Sequence, residues 1–161
     1  MKQISFSSIE KAIQKIDNLD DDALEVISES FSKSQPTLLG YVMSAALEYK
    51  NEKLEGLLIY YFCLISDAFA HEGIEVREVT DEDIDAFEEP FFEMLDSYFD
   101  TDDDDILESF CDQTELARFM AMEISVEDED GTTLDDETAT QLFIVTMAQI
   151  SLMSRAIKSA N

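Results

Sequence analysis

The one histidine of the chain, His71, follows Asp67 by four residues, a spacing that puts both on one face of a helix. A His–carboxylate pair can serve as a general base or supply two metal ligands. Glu72 and Glu75 lie nearby in sequence, yet no third ligand can be placed from spacing alone. The plainer reading is an imidazolium at the negative end of a helix, beside a carboxylate. The two cysteines, Cys63 and Cys111, form no CxxC pattern. Cys63 falls in the apolar run 57–65 and reads as a small buried hydrophobe. The four glycines stand isolated at 40, 56, 73 and 131, so there is no glycine-rich phosphate loop, and no nucleophile elbow is present. With 38 acidic residues, carboxylate pairs occur at every spacing and none stands out for acid–base work. The expectation is a protein that is not an enzyme and carries no cofactor.

One stretch has metal-ligand spacing. In residues 126–137, Asp128, Asp130, Gly131 and Glu137 occupy positions 3, 5, 6 and 12 of a twelve-residue loop. This resembles a degenerate EF-hand loop, in which oxygen ligands, a turn glycine and a terminal bidentate carboxylate hold calcium. Val126 takes position 1, where the pattern has Asp, and Thr133 and Leu134 take positions 8 and 9. One ligating carboxylate and the apolar contact between paired loops are thereby lost. Asp100, Asp102 and Asp104 repeat the early spacing, but Asp105 replaces the glycine and Cys111 the last carboxylate. The resemblance implies weak calcium binding through Asp128, Asp130 and Glu137. The competing reading is a solvated acidic turn, with Thr133 and Asp136 capping the next helix.

Charge says more than any motif. The 161 residues carry 10 basic and 38 acidic side chains, a formal charge of −28. Residues 75–137 hold 26 of the acidic residues and only two basic ones. Phosphate binding needs clustered Lys and Arg, so direct nucleic-acid binding is excluded, and anionic membranes should repel the chain. Cations or basic protein surfaces are the favoured partners. Within the acidic stretch, phenylalanines interleave with carboxylates. A helix cannot turn Phe91, Phe92, Leu95, Tyr98 and Phe99 all into one narrow core stripe. Apolar area rimmed by acid is how a docking site for a basic partner looks. The expected binding residues are Glu88, Glu89, Phe92, Glu93, Asp96, Phe99, Asp102, Asp103 and Asp104. The expected function is an acidic interaction protein, in its specific form an immunity-type or DNA-mimic-type neutraliser; the alternative is a calcium-binding helical protein. No signal-peptide pattern opens the sequence, and both cysteines read as free thiols, which points to the cytoplasm.

The elements that must position these residues read as helices. Hydrophobic residues make up 45% of the chain, charged residues 30%, and apolar positions recur every three or four residues. The pattern predicts an all-α single domain, residues 1–161, of seven or eight amphipathic helices. Expected caps are Ser7 with Glu10, Asp20, Ser34 before Pro36, Thr80 with Asp83, and the run Asp102–Asp105. The third helix should bury Leu39, Val42, Met43, Ala46 and Leu47. A helix from about Glu52 to His71, apolar nearly all round, should be central, with Gly73 ending it. Residues 74–79 read as an extended connector with nothing to pair with. Pro90 should kink or break the helix it interrupts. The last helix should run from about Leu134 to Ala160. An internal similarity at an offset of 78 residues aligns Gln35, Leu38 and Tyr41 with Gln113, Leu116 and Phe119. It suggests a duplicated four-helix unit, residues 1–74 and 79–161.

Overall fold

The computed structural model describes residues 3–125 and 136–158. Among the described residues the chain forms eight helices: α1 (Phe6–Asp17), α2 (Asp21–Ser34), α3 (Pro36–Glu48), α4 (Leu54–His71), α5 (Asp81–Thr101), α6 (Asp104–Cys111), α7 (Thr114–Ser125) and α8 (Asp136–Arg155). No named strand accompanies them; the fold is all-α.

Two helices fill the centre. On α4, every residue from Tyr61 to Phe69 is buried, and α8 buries nearly everything between Thr138 and Ser154. Mean hydropathy and an 18-residue length give α4 the composition of a membrane span, but 61% of it is buried inside the protein. Its apolar character follows from being covered on all sides. Asn51, just before α4, donates to Thr138 and Gln141 near the start of α8, and Gln149 donates to the Phe62 carbonyl further along. The two helices therefore run side by side in the same direction.

Helix α1 lies antiparallel on α4, fixed at both ends by polar contacts. Glu72, at the C-cap of α4, accepts from the Ser5 backbone N–H at 3.0 Å and from the Ser5 and Ser8 hydroxyls. At the other end Lys15 reaches Asp67 at 3.1 Å and Tyr60 donates to Asp17. The cap of α1 is Ser5, two residues before the expected Ser7, because its hydroxyl is the one placed to accept from the Ser8 N–H. Asp20 caps α2 as expected, accepting from Ala23 at 2.8 Å.

The junction into α3 departs from expectation. Ser34 ends α2 instead of capping α3, and Pro36 opens α3 with no side-chain cap. The buried stripe of α3 is Leu38, Val42, Ala45 and Ala46; Leu39 and Met43 are only half-buried, and Leu47 is 78% exposed. The stripe is displaced toward Leu38 because α3 must cover both α4 and α8. The buried Gln35 side chain reaches across the fold: it donates to the Arg77 carbonyl and accepts from the Val79 N–H, both at 2.8 Å. Gln113, before α7, accepts from the Ile4 N–H at 2.8 Å. Each glutamine thus holds the backbone leading into the first helix of the other half of the chain. The 78-residue register aligns these two residues, but not the helices as wholes: α1 has 12 residues and α5 has 21.

The connector does find a partner. Val76 bridges antiparallel to Ile157, flanked by Arg77 N–H to the Ala156 carbonyl and Lys158 N–H to the Glu75 carbonyl, each 2.9 Å. The chain leaves α8 after Arg155 to make this pairing, so the last helix is shorter than expected. Gly73, with φ of 74°, occupies the left-handed region that ends α4. Thr80 and Asp83 form the expected capping box of α5, and Arg77 adds a bidentate pair to Asp83 at 2.6 and 3.0 Å. α5 continues through Pro90 without a break; the ring sits on the exposed side, where the missing amide hydrogen bond leaves the carbonyl of Ala86 open to water.

Replacing Gln35 with Ala strands the Val79 amide and the Arg77 carbonyl. We expect a loss of about 1–3 kcal/mol in urea unfolding. Gln113→Ala should cost a similar amount through Ile4. Unchanged midpoints for both variants would show that these bonds do not hold the halves together.

Candidate functional site

Helix α5 buries one stripe and presents another. Ile84, Phe87, Phe91, Met94 and Leu95 point inward. Phe87 and Phe91 stack at 4.7 Å, Phe110 of α6 closes on both at 5.8 Å, and the Arg155 guanidinium covers Phe110 at 4.5 Å. One flank of the helix, about a quarter turn from that stripe, carries Phe92, 46% exposed, and Phe99, 49% exposed. Seven residues apart, the two rings share a face. Their helical neighbours three and four positions away are Glu88, Glu89 and Asp96 for Phe92, and Asp96 for Phe99; Asp102, at the left-handed C-cap, lines the same cleft as Phe99.

Beside each ring a cleft opens, because α5 lies less closely on α8 than α1 does on α4. The first cleft, about 200 Å³, lies between α3, α5 and α8. It is lined by Tyr41 and Glu48 from α3, by Tyr49 at the C-cap of that helix, by Glu88 and Phe92 from α5, and by Ile144 from α8, over a floor of small side chains. The second, about 300 Å³, is bounded by Tyr98, Phe99 and Asp102, by Ala121 and Ile124 of α7, and by Phe143 of α8. There Tyr98 stacks on Phe143 at 5.7 Å and Phe99 approaches the same ring at 6.1 Å.

The carboxylates act on the tyrosines of both clefts. Partial burial, then Glu88 and Glu48, push the Tyr41 phenol up to about 12. Burial and Glu48 raise Tyr49, and burial with Asp104 and Asp102 raises Tyr98. A negative field makes a further negative charge costly, so these phenols stay neutral beyond the ordinary range. No basic residue occurs between Arg77 and Arg118, whereas residues 81–111 hold 14 carboxylates. Two of those are matched: Asp83 by Arg77, which holds its carboxyl well below the usual range, and Glu108 by Arg118.

Of the residues singled out from sequence, Glu88 and Phe92 meet in the first cleft, and Phe99 and Asp102 in the second, with Asp104 close to Tyr98. Glu89, Glu93 and Asp96 are exposed on α5. Asp103 is committed locally, since its carboxylate caps α6 by accepting from Asp105 at 3.0 Å. Sequence reasoning missed Tyr41, Glu48 and Tyr49. Their spacing does put them on one side of a helix, but Leu47 had been given to the core, which turned α3 the wrong way. Asp128 and Asp130 lie outside the described residues. Glu137 is exposed and accepts from Gln141 at 3.3 Å.

The His71 reading gains a third member. Asp67 is 2% exposed, and its two oxygens meet Lys15 at 3.1 Å and His71 at 2.9 Å. The Lys15–Asp67 pair fastens α1 to α4. No group of three potential metal ligands occurs among the described residues. Both thiols are buried, and burial pushes Cys63 and Cys111 up to about 11, away from nucleophilic use at neutral pH.

No protein-family model matches the chain, and neither any curated protein nor any solved structure matches it.

Two solution measurements follow. Because the fold favours the neutral Tyr41 phenol, the folded chain binds more protons than the unfolded one between pH about 10 and 12. Stability from this group is complete below pH 10 and should fall as pH rises through that window. Burial and a bond to Asp17 raise Tyr60 as well. Absorbance titration should therefore show at least these two tyrosines un-ionised at pH 10, and all five titrating together in 8 M urea. The thiols should react with an aromatic disulfide reagent at pH 8 only after denaturant is added; fast reaction of the native chain would contradict their burial.

Proposed function

We propose that the protein is a non-enzymatic, acidic interaction protein that docks the outer face of α5 and the start of α6 onto a basic surface of another protein. The observation that carries this reading is the pairing of half-exposed Phe92 and Phe99 with surrounding carboxylates, on a stretch without one basic side chain. Aromatic rings supply area that gains from leaving water, and the carboxylates select and steer a cationic partner. Rings half-buried in cleft walls also lose little freedom on binding, as anchor residues do.

The specific version is a neutraliser. A surface that attracts basic side chains competes with phosphate for a nucleic-acid-binding protein, whether as an immunity-type inhibitor or as a mimic of DNA charge. The location consistent with this reading is the cytoplasm, where free thiols persist. Burial of the thiols and the structural role of Asp67 with His71 support a binding rather than a catalytic reading. Calcium binding through 126–137 gains nothing from the described residues.

The test is affinity capture on the immobilised chain from extracts of the cells that produce it, followed by calorimetry on the captured protein. We expect a basic protein, 1:1 stoichiometry, and a tenfold or greater loss of affinity between about 50 and 200 mM salt. Truncation of both Phe92 and Phe99 to Ala should weaken binding by about 10–100-fold, with each ring contributing on the order of 1 kcal/mol. For the neutraliser version, duplex DNA should compete with the protein for its partner. A partner whose binding ignores both salt and the double variant would overturn the reading, as would capture of no basic protein at low salt.

A further inference from the structure

We propose that the cleft between α3, α5 and α8 is a socket for one arginine side chain of the basic partner, formed by the rings of Tyr41, Tyr49 and Phe92 and the carboxylates of Glu48 and Glu88. The proposal rests on the docking reading above and names the group that anchors it. Three aromatic side chains from two helices line one hollow with two carboxylates, and no basic residue lines it. A cation over an aromatic face is attracted by the ring quadrupole, and removal from water strengthens that attraction. The carboxylates add charge-assisted hydrogen bonds at the rim.

The second cleft is a poorer site for the same ligand. Tyr98, Phe99 and Phe143 there pack on one another, so their faces are already engaged. Among the described residues, Tyr41 and Tyr49 pair with no ring across the fold, and the one ring paired with Phe92 is its neighbour Phe91, at 5.6 Å. The volume of about 200 Å³ suits one long side chain rather than a helix or a strand. Arginine fits better than lysine on three counts: its flat guanidinium stacks on rings, it gives up water more readily, and its fork of donors can engage a carboxylate at two points. The same molecule already uses this contact, since Arg155 lies over Phe110 and Phe87 at 4.5 and 5.3 Å. The Tyr41 phenol, raised by burial and then by Glu88 and Glu48, is neutral at physiological pH, so its hydroxyl can donate to either carboxylate.

The experiment titrates N-acetyl-arginine-N-methylamide into the isotopically labelled full-length chain at low salt, with backbone amide shifts recorded by NMR. We expect shifts concentrated at Tyr41, Tyr49, Glu88 and Phe92, saturating in the millimolar range. The lysine analogue and tetramethylammonium should bind at least about threefold more weakly. Tyr49→Ala, Phe92→Ala and Glu88→Gln, all at solvent-accessible positions, should each weaken arginine binding about fivefold or more, whereas Phe99→Ala, in the other cleft, should leave it unchanged. Shifts spread evenly over the carboxylates of α5 and α6, and indifferent to these variants, would overturn the socket while leaving diffuse docking on a basic protein intact. Equal binding of lysine or tetramethylammonium would overturn the assignment to arginine. Localised arginine binding by a chain that captures no basic protein would uphold the socket and overturn the partner instead.

Discussion

Helices α4 and α8 can be buried on nearly every side only if the other helices wrap them. That requirement organises the molecule. α1, α2 and α3 cover α4; α5, α6 and α7 cover α8; and the two central helices cover each other. Burial of so much Leu, Ile, Phe and Met is the large favourable term, and it offsets the repulsion among the carboxylates, most of which lie on the outer surface. Most of the polar groups caught inside are answered in place; the Ser154 hydroxyl has no hydrogen-bond partner among the described residues, and Asp67 Oδ2 meets His71 only as an ion-pair contact. Thr146 and Ser151 return their hydroxyls to carbonyls four residues back on α8, Gln149 bonds the α4 backbone, and Asp67 takes Lys15 and His71.

The two covers are unequal, and the inequality makes the clefts. α1 carries Ser5, Ser8, Lys15 and Asp17, which grip α4 along its length. α5 has nine acidic residues and no basic one, and it holds to the body chiefly through its phenylalanine stripe and α6. A helix so charged has few ways to bond laterally with its neighbours. It stands slightly off α8, and the openings beside Phe92 and Phe99 result.

Much of this was legible in the sequence because periodicity and caps are local. The central place of α4, the Asp20 cap, the Thr80–Asp83 box and the left-handed Gly73 each follow from a few adjacent residues. What stayed hidden depends on distant groups. Nothing near Gln35 says that it will bond the backbone at Arg77 and Val79, or that the segment after α4 will pair with the residues after α8. Leu47 looks like a core residue, yet it faces solvent; only the presence of α5 and α8 beside α3 explains why Tyr41 and Glu48 face a cleft. For the same reason Phe92 and Phe99 were visible as members of a site, whereas Tyr41 and Tyr49 were not.

The chain contains no Trp, so its aromatic emission comes from five tyrosines, of which Tyr41, Tyr49 and Tyr98 stand on cleft walls. The other two, Tyr60 and Tyr61, lie on α4, where their rings meet edge to face at 4.9 Å. Three of the five chromophores therefore stand at the openings beside α5. Any body settling over them alters the solvent around the chromophores themselves, which gives the protein a built-in optical gauge of its own occupancy, with no dye attached.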